Sequence, residues 1–95
     1  MSYRGTVYRL GTSQLVDYTS TSTANTTAFQ AGTKAVRVIS NTNCHIRFGQ
    51  SPTAVITDSK LAPGLPEYFV VTPGQKIAAI RTTTTGKLYV TEVSG

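Results

Sequence analysis

Residues 33–93 read as a succession of short apolar runs, each closed by Gly, Pro, Asn or a Thr cluster within about ten residues. No amphipathic helix of useful length fits between such breaks, whereas strands of four to eight residues do. The spacing therefore predicts an all-β chain. Ser and Thr fill 25 of the 95 positions, and charged residues make up only 14%. That Thr-heavy balance suits half-exposed strands, and the length suits one hydrophobic core.

Individual runs give registers. Gly11-Thr12 lies between residues 6–10 and 13–18, and Gly at the first of two loop positions fits a type II′ hairpin turn. Such a turn sets Tyr8 opposite Leu15 and Val7 opposite Val16. Residues 19–27 follow as a polar Ser/Thr/Asn tract without buried periodicity, which reads as a linker. The organisation expected is an N-terminal hairpin arm with linker over residues 1–30 and a β-sandwich body over residues 31–95.

In the body, Val36, Val38 and Ser40 alternate along one strand, and Cys44, Ile46 and Phe48 along the next. A three-residue hairpin at Asn41-Thr42-Asn43 would pair Val36 with Phe48 and Val38 with Ile46. Ala54-Val55-Ile56 reads as a short edge strand. Pro63-Gly64-Leu65-Pro66 forbids regular pairing and reads as a corner between sheets, and Pro73-Gly74 has the form of a type II turn that changes sheet again. Between them, Glu67-Tyr68-Phe69-Val70-Val71 carries an unbroken apolar run, as strands do when buried on both faces or when one face is an interface. Residues 76–81 and 87–92 would form a last hairpin with Ile80 opposite Leu88, Ala78 opposite Val90 and Lys76 opposite Glu92. About seven or eight short antiparallel strands plus the arm make a β-sandwich of jelly-roll-like form the expected architecture.

Chemistry is sparse. His45 and Cys44 are the only residues of their kinds, and neighbours on a strand point to opposite faces. A zinc site needs three or four converging ligands and a Cys–His nucleophile pair needs both groups within reach, so neither is expected. Cys44 reads as a small core residue and His45 as an exposed one. Asp17, Asp58, Glu67 and Glu92 lie far apart in sequence and read as surface charges. No catalytic residue, metal or cofactor is expected, and the chain reads as a non-enzyme. The single Cys and the absence of an apolar leader in residues 1–5 are consistent with folding in a reducing cytosol.

The formal charge is +5, which favours acidic partners. Its nine basic residues are spread singly, without the aromatic interleaving of a nucleic-acid surface, so a protein partner is the better reading. The hairpin register places Arg37 directly opposite Arg47 on the outer face, an arrangement that an acidic partner would relieve. Tyr3, Tyr8 and Tyr18 concentrate in the N-terminal segment, and a two-stranded arm is too small to fold alone. These five residues are the candidate partner contacts.

Cys44-His45-Ile46-Arg47-Phe48-Gly49, then Asp58-Ser59, Leu61-Ala62-Pro63-Gly64 and Pro66-Glu67-Tyr68-Phe69-Val70 resemble a pattern in small virion proteins of tailed bacteriophages. The continuation through Gly86-Lys87-Leu88-Tyr89-Val90-Thr91 is similar to their closing hairpin. The resemblance covers residues 33–93. It implies a compact β-sandwich of the decoration or cement kind, present in multiple copies or as a homo-oligomer on the major capsid protein or another virion protein. Its location would then be the phage head. A head-to-tail or fibre-associated role, or a carbohydrate- or receptor-binding module, is the alternative.

Overall fold

A computed structural model describes residues 9–94. It contains eight strands: β1 (Arg9–Tyr18), β2 (Thr23–Ala24), β3 (Ala35–Ser40), β4 (Cys44–Gly49), β5 (Ser59–Leu61), β6 (Glu67–Val70), β7 (Lys76–Arg81) and β8 (Gly86–Ser94). They form two four-stranded sheets, β1-β8-β3-β6 and β2-β7-β4-β5, and every strand pairing is antiparallel. The protein is an all-β sandwich. Four of its pairings join strands whose numbers sum to nine, β1 with β8, β2 with β7, β3 with β6 and β4 with β5. The chain thus behaves as one long hairpin, four strands out and four back, folded over on itself.

Period-two alternation decides which side chains enter the core. Along β3 the burial alternates, with Val36, Val38 and Ser40 inward and Ala35, Arg37 and Ile39 half-buried on the outer face. Cys44 and Ile46 on β4, Ile77 and Ala79 on β7, and Leu88 and Val90 on β8 meet them across the sandwich. The three phenylalanines close one end. Phe48 from one sheet lies 5.5 Å, centroid to centroid, from Phe69 of the other and 6.4 Å from Phe29, all in tilted contacts of the kind aromatic pairs prefer.

Consecutive strands mostly switch sheets, and this overturns the expected hairpins. β3 bonds to β8 and β6, and β4 to β7 and β5, so Val36 lies beside Phe69 and Glu92 rather than Phe48. The same holds for β7 and β8: Ile80 is in register with His45, and Leu88 with Ser40 and Val16. Alternation fixes the face a residue occupies, not the strand beside it. Two strands in opposing sheets bury the same apolar faces against each other, and each gains ladder bonds on both sides from strands distant in sequence. Both proline corners do change sheet as expected, from β5 to β6 and from β6 to β7. At them Gly64 and Gly74 have φ of 77° and 89°, a region open to glycine with little steric cost.

The expected N-terminal hairpin is also replaced. β1 runs straight through Gly11-Thr12, where a register shift between Leu10 and Ser13 marks a bulge against β8. Val7 and Tyr8 lie outside the described residues. The polar tract after β1 is built into the second sheet rather than being a loose linker. Asn25 is buried, receives the Ile77 N–H at 2.8 Å on Oδ1, and donates its own N–H to the Ile77 carbonyl at 3.1 Å. A buried Asn side chain here does the work of a further strand residue. Residues 54–56 form no edge strand: Asp58 N–H bonds back to the Val55 carbonyl in a turn, and the edge is β5.

Candidate interaction surface

The outer face of the β1-β8-β3-β6 sheet carries side chains unlike those of an ordinary solvated sheet. Leu15 of β1, Tyr89 of β8 and Ile39 of β3 are in register across three strands. In the next outward row Ser13 and Thr91 share a hydroxyl hydrogen bond at 3.1 Å, followed by Arg37 and Tyr68. Ala35 and Val70 begin a third. Val70 is 90% exposed, Tyr68 52% and Tyr89 46%. Isolated exposed apolar residues are ordinary, but a set in register on one face is not. At one edge Lys87 and Asp17 are paired at 2.5 Å, so the apolar and aromatic centre has a charged rim on that side. An apolar and aromatic centre with a charged rim is a composition that protein–protein contact surfaces share.

The opposite outer face is polar. It presents Lys60, Arg47 and Lys76 beside Ala78 and the half-buried Ile80, and Arg47 is held there by Asp58, with Nε donating at 3.1 Å and Nη2 at 2.9 Å. The same carboxylate accepts the Val55 N–H at 2.8 Å. The Arg47 hydrogen bond, then that backbone bond, hold the Asp58 carboxyl below the usual carboxylate range.

The five sequence candidates therefore separate. Arg37 lies on the apolar outer face and Arg47 on the other sheet, tied to its own acidic partner, so the expected facing pair of like charges does not exist. Tyr18 is fully buried and makes no surface contact. Its hydroxyl bonds with Thr42, donating to the carbonyl at 2.9 Å and accepting the Thr42 N–H at 3.2 Å. Burial pushes its phenol pKa up despite those bonds. Tyr3 and Tyr8 lie outside the described residues.

Of the remaining singular residues, Cys44 is in the core, and burial raises its thiol pKa. His45, expected at the surface, is buried, with Nδ1 at 3.0 Å from the Asp58 carbonyl oxygen. Glu92, expected as a surface partner of Lys76, is also buried, on β8 between β1 and β3. Among the described residues no three of His, Cys, Asp and Glu converge as a metal would need. The exposed Leu15, Val70 and Tyr89 and the half-buried Ile39 were missed as contacts because each fits an ordinary core strand. The one legible signal was the unbroken run at β6, where Phe69 points in while Tyr68 and Val70 point out.

Compared with known proteins, the chain matches no family model, no curated protein and no solved structure.

Proposed function

We propose that this protein is a non-catalytic structural component of a tailed-phage virion, a head decoration or cement protein. It would bind the major capsid protein through the outer face of the β1-β8-β3-β6 sheet. The observation that carries the reading is that face: Leu15, Tyr89 and Ile39 in one row, Arg37 and Tyr68 in the next and Val70 in a third, with an ion pair at one edge. Aromatic residues and arginine dominate the energetics of protein contacts, and a stable contact needs roughly 800 Å² from each partner.

Strand order supports the same reading. The arrangement β1-β8-β3-β6 over β2-β7-β4-β5, with partners summing to nine, is the basis for reading the sandwich as a jelly roll. That architecture serves viral capsid and lectin domains. The resemblance over residues 33–93 points the same way. Repetition over a shell would multiply a modest single contact through effective concentration.

The test is a mass-spectrometric inventory of purified particles, followed by rebinding of the protein to particles stripped of it. Wild type should return in stoichiometric amounts, and Val70→Lys combined with Tyr89→Lys should not. Absence from the particle, or equal rebinding by the double variant, refutes the proposal.

A further inference from the structure

The two sheets end on four strands, β1 and β6 in the first and β2 and β5 in the second. An exposed edge invites pairing with another chain, and folded proteins blunt their edges with short strands, lysine, bulges or cover. Three of the four edges are blunted in these ways. β2 has two residues, and β5 has three with Lys60 at its centre. β1 is bulged between Leu10 and Ser13. It is also laced to the segment after β2: Gln14 donates to the Thr27 carbonyl at 2.9 Å and accepts the Thr27 N–H at 3.0 Å, and Gln30 Nε2 donates to Thr12 Oγ1 at 3.0 Å.

β6 has none of these devices. It runs from Glu67 to Val70 without lysine, proline or bulge, in continuous register with Ala35 to Val38. The Val71 N–H bonds to the Lys34 carbonyl at 3.1 Å and carries the pairing one residue further. No described strand pairs with its outer side. Alternate residues of an edge strand direct their N–H and C=O away from the sheet, so that side offers backbone donors and acceptors. Its side chains are apolar and aromatic: Val70 and Tyr68 are exposed, and Phe69 is half-buried against Phe48 on the inner side.

We propose that β6 pairs antiparallel with β6 of a second copy of this chain, about a two-fold axis at Phe69, so that two four-stranded sheets become one continuous sheet. Residues opposed across an antiparallel pair share a face. Tyr68 and Val70 point out and Phe69 points in, so the axis passes through a residue position rather than between two. An axis at Tyr68 would bring Pro66, which lacks an N–H, opposite Val70. With the axis at Phe69 the ladder spans residues 67–71, which contain no proline. Tyr68 then lies beside Val70 of the second copy, an aromatic against a β-branched residue, and the pair recurs by symmetry. Charge agrees with this register. Glu67 lies opposite Val71 of the second copy, and Lys34 of that copy is one strand further, about 10 Å from Glu67 between Cα atoms. A glutamate and a lysine side chain together span that distance, and neither has an ion pair of its own among the described residues. The dimer joins two outer faces side by side and does not depend on what those faces meet.

The experiment is sedimentation equilibrium of the full chain from about 1 μM to 1 mM at physiological ionic strength, the window in which a small interface titrates. Expected is a concentration-dependent approach to twice the chain mass. Val70 is 90% exposed, so Val70→Asp leaves the monomer folded while setting a charge into the paired edge. The dimer Kd should rise at least about tenfold, the equivalent of ~1.4 kcal/mol. Tyr89→Asp, on the same face but two strands from the edge, should leave Kd unchanged. Register is read by mixing Tyr68→Cys chains with Val70→Cys chains in a glutathione redox buffer. The two cysteines would be directly opposed at ~4.5–5.5 Å between Cα atoms, whereas either variant paired with itself leaves them ~7–8 Å apart, beyond disulfide reach. The mixture should give a disulfide-linked dimer and each variant alone should not. Monomer at every concentration, a dimer unaffected by Val70→Asp or weakened as much by Tyr89→Asp, no disulfide in the mixture, or equal linkage in either variant alone would overturn the proposal. None of these outcomes bears on the rebinding to particles that tests the outer face.

Discussion

Replacing Gly86 by alanine adds one methyl group, yet the structure assigns it a large effect. Gly86 opens β8 in register with Tyr18, and a Cβ built on it would come within 2.6 Å of three oxygens, Thr42 Oγ1, Asn41 Oδ1 and Tyr18 Oη. Each of them is held by a hydrogen bond that a shift would break. Tyr18 is fully buried with its hydroxyl bonded to Thr42, Thr42 Oγ1 donates to the Thr84 carbonyl at 3.0 Å, and Asn41 Oδ1 accepts the Lys87 N–H at 2.8 Å. Overpacking typically costs about 1–3 kcal/mol, and a buried polar group deprived of its bond about as much, so Gly86→Ala should lose roughly 2–4 kcal/mol. At roughly 4–8 °C per kcal/mol for a domain of this size, the melting temperature should fall by at least about 8 °C. Tyr18→Phe alone should lose about 1–2 kcal/mol through its hydrogen bonds. Because it also removes one of the three clashing oxygens, the double variant should be more stable than the sum of the singles requires, by at least about 0.5 kcal/mol. Urea unfolding of the four proteins measures every leg of this cycle. A Gly86→Ala chain within about 0.5 kcal/mol of wild type, or an additive cycle, would refute the reasoning.

Two further outcomes follow from the titratable groups. Asp58 has a folded-state pKa below its unfolded value of about 3.9, so its contribution is complete above that value and is lost as pH falls through the lower folded one. Arg47→Met removes the first cause of the shift and should flatten the acid limb of a plot of urea midpoint against pH; an unchanged limb would count against the pairing. Cys44, buried and with its thiol pKa raised, should react with an aromatic disulfide reagent only as fast as the protein opens. Complete modification under native conditions at the rate of a free thiol would contradict its place in the core.

What could be read from the sequence was the face of most strand residues and the position of the corners; on β7 the face was inverted, since the expected hairpin set Ala78 and Ile80 with Val90 and Leu88 whereas Ile77 and Ala79 enter the core. Val36, Val38, Cys44, Ile46, Leu88 and Val90 announce their burial by alternation, and each is in the core. Pro63-Gly64 and Pro73-Gly74 announce a break in pairing because proline lacks an N–H and glycine accepts positive φ. Strand partners were not legible. Nearest neighbours in sequence offered self-consistent hairpins at residues 36–48 and 76–92, and only competition from strands more distant in sequence, which alternation does not encode, displaces them. The same limit hid Glu92: its apparent match to Lys76 depended on a hairpin that the sandwich does not form. At the outer face, Leu15, Ile39 and Tyr89 are ordinary strand residues until two unrelated strands bring them into one row.

The place of β8 has a consequence for how the molecule comes into being. β8, the last of the described strands, lies inside the first sheet, between β1 and β3. Neither of those strands has its principal neighbour until residues 86–94 have left the ribosome, so the sheet is assembled around its final piece rather than extended strand by strand. Long-range closure of this kind is slow compared with local hairpin formation. The early strands wait with open edges until then.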